Sequence, residues 1–352
     1  MQLFLAKIQV AESQGEFKKA WDISEEIHGL LRQADDKNSP TAHRLAIQRA
    51  RLQIMMGDYE AAMREYESWE SNRSGQSHEP IWTLHTATQW INLLDLIGPA
   101  NQEPSARLRA ESINDAFLGT PLTFHHDDWA LIVEHFSRIG KTPDGLAKLE
   151  RWHEEWMRNR SPKHVCMGGL KAAIADCYHV DGEFDRAEQI ANEGLELLRD
   201  TLGPQAGKTI DCQLVLARVH VGQNNMSEAE RLASRAVEAT ENACGMDHPR
   251  TWYVRRQFAR ILFDIGRQND AIKIARETLD SIRSRLGIHH PDYAESVLLA
   301  LELQNAEDDK SVVLEFFSPM VEEFKKATPV NNLPRRQMEQ WMEKLLSHSS
   351  SR

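Results

Sequence analysis

Three groups of residues in this chain have the types and spacing from which chemistry is made. The segment Gly203–Thr209 (GPQAGKT) ends in the Gly-Lys-Thr of a phosphate-binding loop. Such a loop needs a further glycine five residues ahead of that Gly-Lys-Thr glycine, but Leu202 stands there and no strand pattern leads into it. Nucleotide binding is therefore not expected. His125, His126, Asp127 and Asp128 are metal-ligand types. Four adjacent residues at a helix start cannot all face one ion, however, and the two aspartates suit a helix N-terminus electrostatically. The third group is cationic. Arg256 and Arg260 are one helical turn apart, and Arg218 precedes them by one repeat. Guanidinium forks grip carboxylates and phosphates through paired N–H donors. Whether the three converge depends on the elements that carry them.

Those elements repeat. Gly182, Asn224 and Gly266 recur at a spacing of 42 residues, as do Ala187, Ala229 and Ala271, and Gly203, Gly245 and Gly287. Gly140, Gly98, Gly57 and Gly15 continue the frame backwards with a single one-residue slip, giving seven units and a degenerate eighth near Asp308. Each unit carries two helical patterns joined at the Gly/Asn position. Seven residues before that turn stand Ile8, Ala50, Ile91, Val133, Ala175, Ala217 and Ala259; four before it stand Ala11, Gln53, Leu94, Phe136, Tyr178, His220 and Leu262. These positions share one face one turn apart and form a mostly apolar stripe. Five after the turn a small residue (Ala20, Ala62, Gly145, Ala187, Ala229, Ala271) lets the second helix approach the first, whereas Glu103 breaks that rule in the third unit. Glycine at the junction fits a helix end that needs positive φ, and asparagine is its usual substitute. Asp58, Asp181 and Ser227 are placed to cap the helix that follows each turn. A repeat of this length predicts a solenoid, each unit burying its apolar face against its neighbours.

The strings DGEFDRAE and GDYEAAMREY, with the unit ending LGIHHPDY and its weaker copies CGMDHPRT and LGPQAGKT, resemble the tetratricopeptide repeat in the long form of kinesin light chains. The resemblance is strong over Lys163–Leu303 and weaker over Trp69–Asn159. It implies an all-α, right-handed superhelical solenoid of seven to eight antiparallel helix pairs, with a groove that binds peptides or other proteins. Similar arrays form the sensor arm of fungal and bacterial signalling ATPases. In such folds the inward face of the first helix of each pair carries function. Six residues before the turn this row reads Gln9, Arg51, Asn92, Glu134, Asp176, Arg218 and Arg260, acidic in the middle and basic toward the end. Ten before the turn it is largely apolar until Arg256; nine before it, Gln48, Gln89 and Gln257 stand where kinesin light chains carry asparagines. The peptide-binding candidates are thus Gln48, Arg51, Gln89, Asn92, Arg218, Arg256, Gln257 and Arg260. Asp176 lies one repeat ahead of Arg218, so the same row also predicts a salt-bridge ladder. Both readings hold together if Arg256 and Arg260 stay uncommitted.

Composition limits the remaining functions. A net charge of −11 over 352 residues argues against nucleic acid, which requires a basic footprint. No stretch of about 18 apolar residues predicts a membrane span. The start, MQLFLAKIQVAESQGEF, lacks a basic leader and reads as the first helix of the first repeat. It begins without a polar cap ahead of Leu3, Phe4 and Leu5, as expected of a fragment or of a contact made there. Cys166, Cys177, Cys212 and Cys244 show no CxxC or Cys/His spacing and read as reduced thiols of a cytoplasmic protein, with Cys177 and Cys212 buried and inert. Seven of the nine tryptophans lie in the first half, at helical spacing, and read as packing residues. His248 and His290 are expected to serve their turns structurally. No nucleophile–base pair, cofactor or metal is expected. The expected organisation is repeats 1–2 over residues 1–70, irregular repeats 3–4 over 81–160, repeats 5–7 over 163–289, and a degenerate repeat with a capping helix over 290–348. The function this predicts is a non-catalytic scaffold or adaptor that holds an acidic or phosphorylated peptide, with the sensor arm of a signalling ATPase as the alternative.

Overall fold

The computed structural model describes residues 2–13, 16–33, 40–73, 90, 93–94, 142–159, 164–288, 290–303, 310–327 and 333–347. Among these residues the chain is all-α, with no strand. The helices are α1 (Gln2–Ser13), α2 (Phe17–Gln33), α3 (Pro40–Met55), α4 (Tyr59–Arg73) and α5 (Thr142–Asn159). They continue with α6 (Val165–Val180), α7 (Phe184–Leu202), α8 (Gly207–Gly222), α9 (Met226–Cys244) and α10 (Pro249–Asp264). The last are α11 (Gln268–Leu286), α12 (Pro291–Glu302), α13 (Lys310–Ala327) and α14 (Leu333–Ser347). His125–Asp128, Gln89, Asn92, Glu103, Trp82 and Trp129 lie outside the described residues.

The turn within each pair has one construction. The N–H of Gly182 donates to the His179 carbonyl at 3.1 Å and that of Glu183 to Tyr178 at 2.9 Å. Gly57, Asn224 and Gly266, with the residue after each, repeat this pattern. Together the two bonds satisfy carbonyls that a helix end would otherwise leave orphaned. The geometry puts φ at 79° for Gly182 and 60° for Asn224, the only non-glycine with positive φ among the described residues. Asn224 tolerates it because its short polar side chain disfavours the left-handed region least.

The connection between pairs is built differently. Gly203 (φ 88°, ψ 165°) occupies a region open only to glycine, and Gly245 repeats it. The Thr209 hydroxyl donates to the Gly203 carbonyl at 2.8 Å, and Thr251 does the same to Gly245 at 2.6 Å. Histidine caps the next helix: Nδ1 of His164, His248 and His290 accepts the N–H of Cys166, Arg250 and Asp292 at 3.2, 3.0 and 3.1 Å. Ala206 takes this place in the remaining copy and makes no side-chain cap. Of the residues expected to cap, Asp58 accepts the Ala61 N–H at 3.0 Å. Asp181 instead closes α6, and Ser227 lies inside α9; Glu183 and Asn225 precede the following helices without a side-chain capping hydrogen bond.

Packing follows the stripe. Ile8, Ala50, Ala175, Ala217 and Ala259 are all 0 % exposed, as are Ala20, Ala62, Ala187, Ala229 and Ala271 after the turns. A Cβ there fills the narrow space between two helices, where a larger side chain would force them apart. Trp69, Trp90, Trp152 and Trp252 are buried.

Two compact units result. One comprises Pro121–Ala275; the other joins Met1–Thr120 to Arg276–Arg352. In the second, Phe17 stacks on His290 with ring centroids 5.0 Å apart, and α14 packs against both α12 and α13. Compactness thus divides the chain differently from a simple succession of repeats.

Candidate functional site

In the unit Pro121–Ala275, α8 packs directly against both α6 and α10, while α7 and α9 make no comparable contact with each other among the described residues. Helices that touch on one side and spread on the other form a curved layer, with α6, α8 and α10 on its inner face.

Across that face runs a polar relay. Arg218 of α8 bonds through Nη2 to Asp176 Oδ1 of α6 at 2.6 Å, and its Nη1 lies 3.5 Å from Gln257 Oε1 of α10. Arg218 and Asp176 side chains are 27 % and 26 % exposed, so the pair sits at the wall of the face rather than in the core. Burial works against the Arg218 charge, but Asp176 outweighs it and the guanidinium pKa is raised. Beside it, burial and the same guanidinium hold the His179 pKa below its ordinary value. A second relay involves residues the sequence reading did not select. Arg250 donates to Asp211 Oδ1 at 2.6 Å and to the Gly207 carbonyl at 2.7 Å, and its guanidinium lies 5.3 Å from the ring centre of Tyr253. Asp211 and Tyr253 both lie thirteen residues before a turn, in the frame of the inward rows, and that periodicity was the available signal.

The structure brings Arg218 and Gln257 together and separates other candidates. Arg256 is 5 % exposed, lodged among packed side chains rather than on an open face. Arg256 and Arg260 each have partners within the protein, so they do not stay uncommitted as the ladder argument required. The ladder itself is present in Asp176–Arg218. Arg260 is exposed. Gln48 and Arg51 belong to the other compact unit, where Gln48 Nε2 donates to Glu12 at 2.5 Å.

The segment Gly203–Thr209 is an inter-pair connection. Its threonine hydroxyl is spent on the Gly203 carbonyl and Gly207 already opens α8. Cys177 and Cys212 are buried, and burial pushes both thiols up to about 12, far from a reactive thiolate. Among the described residues no group of three or more metal-ligating side chains forms, and no helix is long and apolar enough to cross a membrane.

A face of this kind, lined by the first helices of stacked pairs, defines a class of helix-pair solenoid. Tetratricopeptide-repeat family models match residues 170–242 and 254–292, and these segments of the chain are tetratricopeptide repeats. No curated protein matches the chain. Among solved structures, a Rap protein complexed with Competence and Sporulation Factor is similar at 7 % identity and a TM-score of 0.50, covering 86 % of this chain and 79 % of that one. Nearly identical TPR-like repeats of a kinesin light chain from Podosopora anserina are similar at 15 % identity and a TM-score of 0.44, covering 57 % and 96 %. A tetratricopeptide repeat protein from Parabacteroides merdae is similar at 13 % identity and a TM-score of 0.39, covering 97 % and 98 %.

Proposed function

We propose that the chain is a non-catalytic interaction scaffold whose inner face on α6, α8 and α10 receives an acidic or phosphorylated segment of a partner protein. The observation that supports this reading is the relay Asp176–Arg218–Gln257, which links three inner helices and remains partly exposed. A partner carboxylate or phosphate approaching Arg218 competes with Asp176 for the same fork, and the amide of Gln257 offers a donor and an acceptor to a peptide backbone. Arg260 extends the cationic edge on α10. The pairing with Asp176 lowers affinity for a weak acid and favours a doubly charged group such as phosphate.

Selection of displayed acidic, phosphorylated and basic peptides on the intact chain tests this. Enrichment of acidic or phosphorylated sequences is the expected result, together with weakening by about tenfold or more for the Arg218→Glu, Arg260→Glu double variant. Enrichment of basic sequences, or unchanged affinity in the double variant with its helical circular dichroism intact, overturns the reading.

A further inference from the structure

A cavity of about 310 Å³ lies among α2, α3 and α4, in the other compact unit from the inner face just described. One wall is apolar: Leu31, Leu45 and Trp69 are at most 6 % exposed, and Ala42 and Ala46 complete it. The rest of the lining is largely polar and charged, with Arg32, Arg49, Glu65 and His28.

Arg49 is 8 % exposed and held rigidly. Its Nε donates to Glu65 at 2.9 Å, its Nη1 donates to Glu25, and its guanidinium lies 4.5 Å from the ring centre of Trp21. The second terminal nitrogen, Nη2, has no hydrogen-bond partner among the described residues. Glu65 likewise uses only Oε1, leaving Oε2 as an open acceptor. Burial, with Arg49 next, holds the His28 pKa below its usual value, so the ring is neutral at physiological pH. The lining carries both signs, Arg32 and Arg49 against Glu65, while Glu25 bonds Arg49 from outside it. A free anion would meet the Glu65 carboxylate and a free cation the two guanidinium groups. A ligand carrying both charges meets neither penalty, because its carboxylate can face Arg49 and Arg32 while its ammonium faces Glu65.

We propose that this cavity binds a free apolar α-amino acid as its zwitterion, with the side chain against Leu31, Leu45 and Trp69. The volume agrees, being at the lower end of small-molecule pockets of about 300–1,000 Å³. The fixed position of Arg49 matters as much as its charge, since a donor already immobilised by Glu25, Glu65 and Trp21 loses little freedom on binding.

Calorimetric titration of the intact chain with three probes tests the assignment: L-phenylalanine, its amide and its N-acetyl derivative. Phenylalanine should bind, and each blocked derivative should bind at least about tenfold more weakly, the loss expected for one charge-assisted hydrogen bond. Ala46→Phe, which fills the cavity, should abolish the heat while circular dichroism stays unchanged. Arg32→Gln, at an exposed helix end, should weaken binding by about tenfold without affecting the fold. Equal binding of the amide or of the N-acetyl derivative overturns the proposal, as does an absence of heat with phenylalanine at millimolar concentration. Undiminished binding in a folded Ala46→Phe chain places the ligand elsewhere and overturns it too.

Discussion

The repeats from His164 to Gly266 and the helix pairs of residues 2–73 share a turn but spend their polar residues differently. In the first region two ion pairs of the inner helices, Asp176–Arg218 and Asp211–Arg250, step from one helix pair to the next. The core beneath is small and uniform, with Ala175, Ala217 and Ala259 in equivalent places. In the second region one buried arginine gathers two carboxylates, and the core carries Tyr66 and Trp69, with Trp90 in the same cluster. Regular small residues give evenly stacked helices and an extended surface. The 310 Å³ cavity lies in the second region, beside Trp69. An extended surface suits a chain-like partner, whereas a gap suits a small one.

Three sets of substitutions would break or sharpen this contrast. The largest effect is expected for Ala229→Glu, which puts a carboxylate at a fully buried contact of α9 in the regular region. An unpaired buried charge costs several kcal/mol, roughly 4 or more. Hydrogen exchange should accelerate across Pro121–Ala275 while α1 to α4 keep their protection. A uniform loss along the chain would mean that the two regions fold as one cooperative core.

An intermediate effect separates the two kinds of ion pair. Arg49→Met strands Glu65, whose side chain is 18 % exposed, and should lower stability by about 3 kcal/mol in urea titration. Arg218→Met removes a pair whose side chains are 27 % and 26 % exposed, less desolvated than Arg49, and should cost less, about 1 kcal/mol. Equal losses would show that the wall of the inner face is as desolvated as the Arg49 site.

The smallest effect concerns the histidine-capped connections between pairs. His248→Ala removes a helix cap and should cost about 1 kcal/mol, whereas His248→Asn, which can accept the same N–H, should stay within a few tenths. A loss shared equally by both variants would show that the ring contributes by packing rather than by its Nδ1.

Much of this was legible in the residues themselves. The frame of Gly182, Asn224 and Gly266 located the turns, because positive φ restricts residue type wherever it occurs. The small residue five after each turn located the closest helix contact for a similar reason, since only a methyl group fits. The structural part of His248 was also readable, although the cap at His164 went unnoticed because no proline follows it.

The side-chain partners were less accessible. Periodicity placed Arg218, Arg256 and Arg260 on one helix face each, but a helical row spans a width that includes both wall and core. Tertiary packing decided that Arg256 is buried while Arg218 faces solvent. The sequence by itself determined repeat length, turn type and the apolar stripe, because each rests on contacts within one helix pair. The tertiary structure alone decided which arginine meets which carboxylate, and where the cavity lies. Those depend on the separation of helices from different pairs, which no local residue pattern encodes.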